Sequence, residues 1–318
     1  MYTLEDWVRH GDELRRPLLV SKGLVDSESL GIVGGGLSGL SLAYRIGLER
    51  PDLPIKLIEK TGRLGGVIET WREDEWVCDI SVNAVRPHPS FWRLVDDLGM
   101  SDSFGPSRGI ASSRWIILRG GKHRISPATI LKIGAFGFLR GAFNSRKVGS
   151  SVLDVLQNRE IADAMTLGIV NDTADQVDAN FLFPSLTGFG PKAPVSRRSL
   201  QKKISKSYPI FTPRKGSLAS LEGGMEDIIR VLHDTISKMG NVEIILENGE
   251  GGPEELSSAY DIPISSMIWT SSLPGRDHGE TTLSVFAVGF QEEEVSGVEI
   301  GYGTLIPDPN TPISGILH

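Results

Sequence analysis

Three glycines, Gly34, Gly36 and Gly39, stand at the spacing G-x-G-x-x-G directly behind the apolar run Leu30-Gly31-Ile32-Val33. Residues of this type at this spacing suit the binding of a diphosphate. Gly34 admits a tight turn, Gly36 lets the ligand approach bare main chain, and Gly39 lets the following helix pack closely on the strand. Gly35, Leu37 and Ser38 complete the turn, where the first N–H groups of the helix and the positive end of its dipole face the phosphates. Glu59 lies twenty residues beyond Gly39, at the distance where an acid accepts hydrogen bonds from a ribose diol.

The elements needed to position these groups follow in order. Residues 30–33 read as a buried parallel strand, and residues 40–48 as a helix with one apolar side. Pro51 and Pro54 break the chain before a second strand, Ile55-Lys56-Leu57-Ile58, that ends at Glu59. Next come Lys60 and Arg63, then the pair Gly65-Gly66. That pair predicts a second close approach of backbone to the ligand, with Arg63 placing a cation near the pyrophosphate. Nicotinamide-binding domains do not usually need this extra loop, so FAD is the expected dinucleotide.

Here the sequence resembles the flavin-containing amine oxidase superfamily, whose E-x-x-x-R-x-G-G continuation is matched by Glu59, Arg63, Gly65 and Gly66. Within it the chain is similar to the protoporphyrinogen oxidase family. Asn83 to Pro87, Ser113 to Ile117 with Gly120 to Lys122, and Gly168 to Asp172 match that family's blocks in order. So do Phe181 to Pro184, Leu221 to Met225 and Gly301 to Leu317. The resemblance implies dehydrogenation of a porphyrinogen to a porphyrin, protoporphyrinogen IX to protoporphyrin IX in haem synthesis, with O2 reoxidising the flavin. It also implies a peripheral place on the mitochondrial inner membrane. The family's G-P-R is Ser81-Val82-Asn83 here, while Arg86 persists. Arg86 and Arg108 are the candidate contacts for an anionic substrate group, with a solvated surface cation as the alternative for each. The family continues past the block that ends this chain, so the resemblance implies a divergent or C-terminally shortened member. Other readings stay open: an FAD oxidoreductase acting on another small molecule, a shortened non-catalytic chain, and a cytoplasmic location.

The expected architecture is α/β: a Rossmann-like FAD-binding domain with a parallel sheet, interleaved with a helical and antiparallel substrate domain. The nucleotide domain would take residues 28–82 and 216–272, the substrate domain residues 83–215 and 273–318, and residues 1–27 would be an extension. Apolar residues from Ile125 to Leu139, with Lys132, Arg140 and Arg146 beside them, suit an amphipathic helix. Such a face packs on a core or presses on a membrane surface. The cations from Lys192 to Lys215 form a basic stretch that is either a solvated loop or a surface for anionic lipid or substrate carboxylates.

Composition narrows the remaining classes. The chain has 318 residues with 33 Lys and Arg against 40 Asp and Glu, a net charge of −7. That sign disfavours a protein that grips nucleic acid along its length. One cysteine, Cys78, excludes an internal disulfide framework and reads as a packed small residue on a strand. His88, His123 and His233 are scattered without H-x-x-x-H spacing, so no metal site is expected. No Ser/His/Asp set stands out, which agrees with chemistry carried by a flavin ring.

Overall fold

The computed structural model describes residues 26–85, 89–118, 120–126, 150–182, 218–271, 283–308 and 310–318. Arg86, the apolar stretch beyond Ser126 and the basic stretch to Lys215 lie outside the described residues. The first half of the chain forms β1 (Leu30–Val33), α1 (Leu37–Glu49), β2 (Ile55–Ile58), β3 (Thr70–Glu73), β4 (Trp76–Asp79) and α2 (Pro89–Asp97). It continues with β5 (Phe104–Pro106), β6 (Arg114–Leu118), β7 (Gly121–Arg124), α3 (Val152–Leu156), α4 (Arg159–Val170) and α5 (Ala179–Leu182). Then come β8 (Ala219–Leu221), α6 (Glu226–Ile236), β9 (Val242–Ile245), α7 (Pro253–Tyr260), β10 (Met267–Trp269), β11 (Gly303–Leu305) and β12 (Gly315–Leu317).

A four-stranded parallel sheet in the order β10-β1-β2-β9 is the platform for the site. Every residue of β1 is buried, as expected of a parallel strand covered on both faces. α1 buries Gly39, Leu40, Ala43, Tyr44, Ile46 and Gly47, a stripe at helical spacing. α6 buries Ile228, Ile229, Leu232 and Ile236 and packs on α1. Burying each such Leu or Ile side chain contributes about 1.5–3 kcal/mol. Pro51 cannot continue α1, and the Asn241 side-chain amide is spread over the carbonyls of Gly47, Arg50 and Leu53 at 3.2, 2.9 and 3.3 Å. That amide ties the end of α1 to the start of β9.

A second sheet runs β12-β11-β6-β7. β6 and β7 form an antiparallel hairpin, and β12 is antiparallel to β11. β11 lies parallel to β6, so this sheet is mixed rather than antiparallel throughout. The long stretch of chain between the two strands is what a parallel crossover needs. β3 and β4 make a separate hairpin, and β5 pairs with β8. The β8 pairing and the Val85–Ala219 bridge bring the chain back to the start of α6. Among the described residues, no helix is long and apolar enough to cross a membrane.

Candidate dinucleotide-binding site

The turn from β1 into α1 has the backbone that the glycine spacing predicts. Gly34 takes φ +110°, and a Cβ there would come within 2.8 Å of Thr270 Oγ1. A Cβ on Gly39 would lie 1.9 Å from the Gly34 carbonyl oxygen, so only glycine allows α1 to sit this close to the strand. Gly36 is the helix N-cap and has no side chain to cap it. The first N–H groups of α1, those of Leu37 and exposed Ser38 among them, therefore have no intrahelical acceptor and point out of the junction.

A second strip of main chain faces the first. The Gly65 N–H donates to the Gly35 carbonyl at 2.9 Å, and Gly36 and Gly65 form an isolated parallel bridge. A Cβ on Gly36 would meet nothing nearer than the Gly66 Cα at 3.9 Å, and one on Gly66 only the Gly36 Cα at 3.4 Å. Two bare backbones thus border an open slot that any side chain would fill. This is the cradle a diphosphate requires.

Glu59, 7% exposed, stands at the end of β2. Its Oε2 accepts the Gly35 N–H at 2.6 Å, and its Oε1 accepts the Thr61 N–H at 2.9 Å and hydroxyl at 2.8 Å. Burial pushes its carboxyl upward, but the Thr61 and Gly35 N–H groups, the Thr61 hydroxyl and the Lys60 charge outweigh it. Its pKa therefore lies below the ordinary glutamate value. A carboxylate has about four acceptor positions, so these donors leave room for a ribose hydroxyl. The Thr61 hydroxyl can also donate to the Arg63 carbonyl at 2.9 Å, which would release a further position.

Arg63 is engaged with its own loop. Its guanidinium does not stand free beside the slot but donates to the carbonyls of Leu64, Ile68 and Gly66 at 3.2, 2.9 and 2.6 Å. It also faces Glu69 and Glu226 at 3.4 and 4.0 Å. The reason is local: a loop with two positive-φ glycines turns its carbonyls inward, and the nearest fork of donors satisfies them. Lys60 is exposed beside Glu59.

The candidate substrate contacts are not gathered here. Arg86 lies outside the described residues, and Arg108 is exposed before the short 3₁₀ turn Gly109–Ser112. Among the described residues no hydrogen bond joins Arg108 to the cradle. Cys78 lies half-buried on β4.

Some contributors escaped the motif. Thr270, just past β10, directs its hydroxyl at the Val33 and Gly34 carbonyls, both at 3.0 Å, and so fixes the first glycine of the turn. Thr70 and Asp79 hold the start of α6. Thr70 Oγ1 donates to Asp79 Oδ1 at 2.6 Å, and Asp79 Oδ1 also accepts the Met225 N–H at 2.8 Å.

Comparison with known proteins agrees with this geometry. Residues 32–98 match the model of an NAD(P)-binding Rossmann-like domain. Coproporphyrinogen III oxidase of Staphylococcus aureus is 20% identical over 337 residues, covering 88% of this chain and 71% of that protein. Protoporphyrinogen oxidase 2 of Arabidopsis thaliana is 24% identical, covering 81% of this chain and 55% of that protein. Protoporphyrinogen oxidase of Bos taurus is 21% identical, covering 90% and 72%. The chain thus spans between about half and three quarters of the length of these relatives. The chain is a low-identity relative of the coproporphyrinogen and protoporphyrinogen oxidases that carries an NAD(P)-binding Rossmann-like domain.

Proposed function

We propose that the protein is an FAD-dependent oxidoreductase that dehydrogenates a porphyrinogen-type reduced ring compound with O2 as the final acceptor. The observation that carries this reading is the slot between Gly36 and Gly66, where two bare main chains face each other beside the N-terminus of α1. A nicotinamide dinucleotide is usually held by the first of these strips alone; the second favours FAD.

The N–H groups of the 36–38 turn would hold the diphosphate, and Glu59 would accept from the adenosine ribose. When bound, FAD supplies the two-electron acceptor for substrate and returns the electrons to oxygen. The protein's part is placement: a dry apolar floor under β1, a fixed acid at the ribose, and backbone dipoles in place of water around the phosphates. The named relatives support a coproporphyrinogen or protoporphyrinogen as substrate.

The test is reconstitution with micromolar FAD, or with NADH in a parallel arm, followed by peroxide release and porphyrin fluorescence on freshly reduced coproporphyrinogen and protoporphyrinogen. Flavin absorbance in the purified protein and porphyrin formation faster than air oxidation are expected. A colourless protein that takes up NADH and no FAD would overturn the reading. FAD uptake with peroxide release from some other reduced compound alone would replace the substrate and keep the cofactor.

A further inference from the structure

We propose that Glu226, on α6, is a positioning residue for the cradle: its carboxylate joins the two ends of the 63–70 loop and so holds Gly65 and Gly66 against the first glycine turn. The inference rests on reading that slot as the FAD site. The loop needs such a hold, because exposed Gly66 and Val67 lie on it between the bridge at Gly65 and the start of β3 at Thr70. Its main-chain bonds are the Gly65 N–H on the Gly35 carbonyl at 2.9 Å, the Ile68 N–H on the Gly65 carbonyl at 3.0 Å and the Ile80 N–H on the Glu69 carbonyl at 3.0 Å, and none of them holds Gly66 or Val67. Loops with so few fixed bonds open at low cost.

Glu226 reaches both ends at once. Oε2 accepts the Thr70 N–H at 3.1 Å, where the loop passes into β3. Oε1 faces the Arg63 guanidinium at 4.0 Å, where the loop begins, and that guanidinium in turn binds three loop carbonyls. Arg72 adds a second cation at 3.2 Å. The carboxylate is itself held in place from its own main chain. The Glu226 N–H donates to Thr70 Oγ1 at 3.0 Å, so Thr70 and Glu226 bond reciprocally, backbone to side chain in each direction, across 156 positions of sequence. The Met225 N–H on Asp79 anchors the same turn. The start of α6 and the second glycine strip are therefore one assembly, and α6 also packs on α1, which begins at the first strip.

Exposed ion pairs contribute little to global stability, and the Glu226 side chain is 27% exposed. Its effect should accordingly be local. This separates a positioning role from a merely structural one. Gly65 and Ile68 amides touch nothing on Glu226, so their hydrogen exchange reports the loop and not the lost bond.

The experiment compares Glu226→Ala and Glu226→Gln with wild type, using Asp234→Asn on the same helix as a control. Amide exchange is measured in the cofactor-free protein, and FAD affinity by flavin fluorescence. In Glu226→Ala, exchange at Gly65 and Ile68 should quicken about tenfold and the FAD dissociation constant should rise about tenfold. The melting temperature should fall modestly, because the buried Thr70 N–H loses its acceptor. Glu226→Gln keeps the acceptor for Thr70 but loses the charge facing Arg63, and should fall between. Asp234→Asn should match wild type. Unchanged exchange at Gly65 and Ile68 in both Glu226 variants overturns the proposal, as does a change equal to that of Asp234→Asn. If Glu226→Ala does not fold, Glu226→Gln decides by the same criteria. Failure of wild type to take up FAD would sink the cofactor reading, while the exchange data would still decide whether Glu226 holds the loop.

Discussion

Glu59 accepts the Gly35 N–H at 2.6 Å, which fastens the end of β2 to the turn behind β1 before any ligand is present. The acid is thus structural, in addition to the ribose contact proposed for it. Removing it leaves the Gly35 and Thr61 N–H groups short of a partner, at a cost of about 1–3 kcal/mol. Glu59→Ala should therefore lower both the melting temperature and FAD affinity, measured by thermal denaturation and fluorescence titration.

The same carboxylate sets a pH dependence. Its pKa is lowered in the folded protein, so its contribution is fully present above the unfolded glutamate value and is lost as pH falls through the folded one. Stability should decline on the acid side in wild type, and Glu59→Gln should flatten part of that decline. Denaturation midpoints measured from neutral pH down into the acid range would show it. Parallel acid limbs for the two proteins would contradict the assignment.

Gly36 and Gly39 should separate binding from folding. A methyl group on Gly36 enters open space, whereas one on Gly39 collides with the Gly34 carbonyl at 1.9 Å. Gly36→Ala should keep the melting temperature while weakening FAD binding. Gly36→Val should abolish binding. Gly39→Ala must push α1 off the strand and should cost about 1–3 kcal/mol, with binding lost as well. Paired calorimetry and flavin titration check both.

Gly224 tests the junction at α6. It has φ +99°, and a Cβ would come within 2.4 Å of Thr70 Cγ2. Gly224→Ala combines an unfavourable left-handed backbone with a clash and should destabilise by about 2–4 kcal/mol. Thr70→Ser in the same background removes the obstructing methyl and should recover part of the loss in thermal denaturation.

Thr270→Val keeps shape and removes the hydroxyl that reaches Val33 and Gly34. A loss of about 1 kcal/mol is expected, together with weaker FAD binding, since the first glycine of the turn loses its brace. Unchanged binding would show that the turn holds itself.

The cradle was legible because its requirements are local. Gly34, Gly36 and Gly39 sit within one turn, and Glu59 follows one strand later, so type and spacing alone mark them. Arg63 was legible as a cation near the loop, but its destination depended on which carbonyls the two glycines turned inward, and that is a property of the folded loop. Thr70, Asp79 and Glu226 gave no signal. Each is an ordinary polar residue in sequence, and their bonds span 146 or more positions between the β3–β4 hairpin and α6. The parallel β6–β11 pairing was hidden for the same reason, since short strands carry no mark of their partner's direction.

The parallel sheet is completed by chain that arrives late. β1 and β2 are neighbours both in the sequence of strands and in the sheet, yet their outer edges are completed by β9 and β10, with β3 to β8 in between. During synthesis the newborn hairpin-less pair presents two bare, apolar rims for as long as the ribosome takes to deliver the rest. Such rims attract other unfinished chains, so production yield should hinge on chaperone supply and on growth temperature more than on the stability of the finished protein.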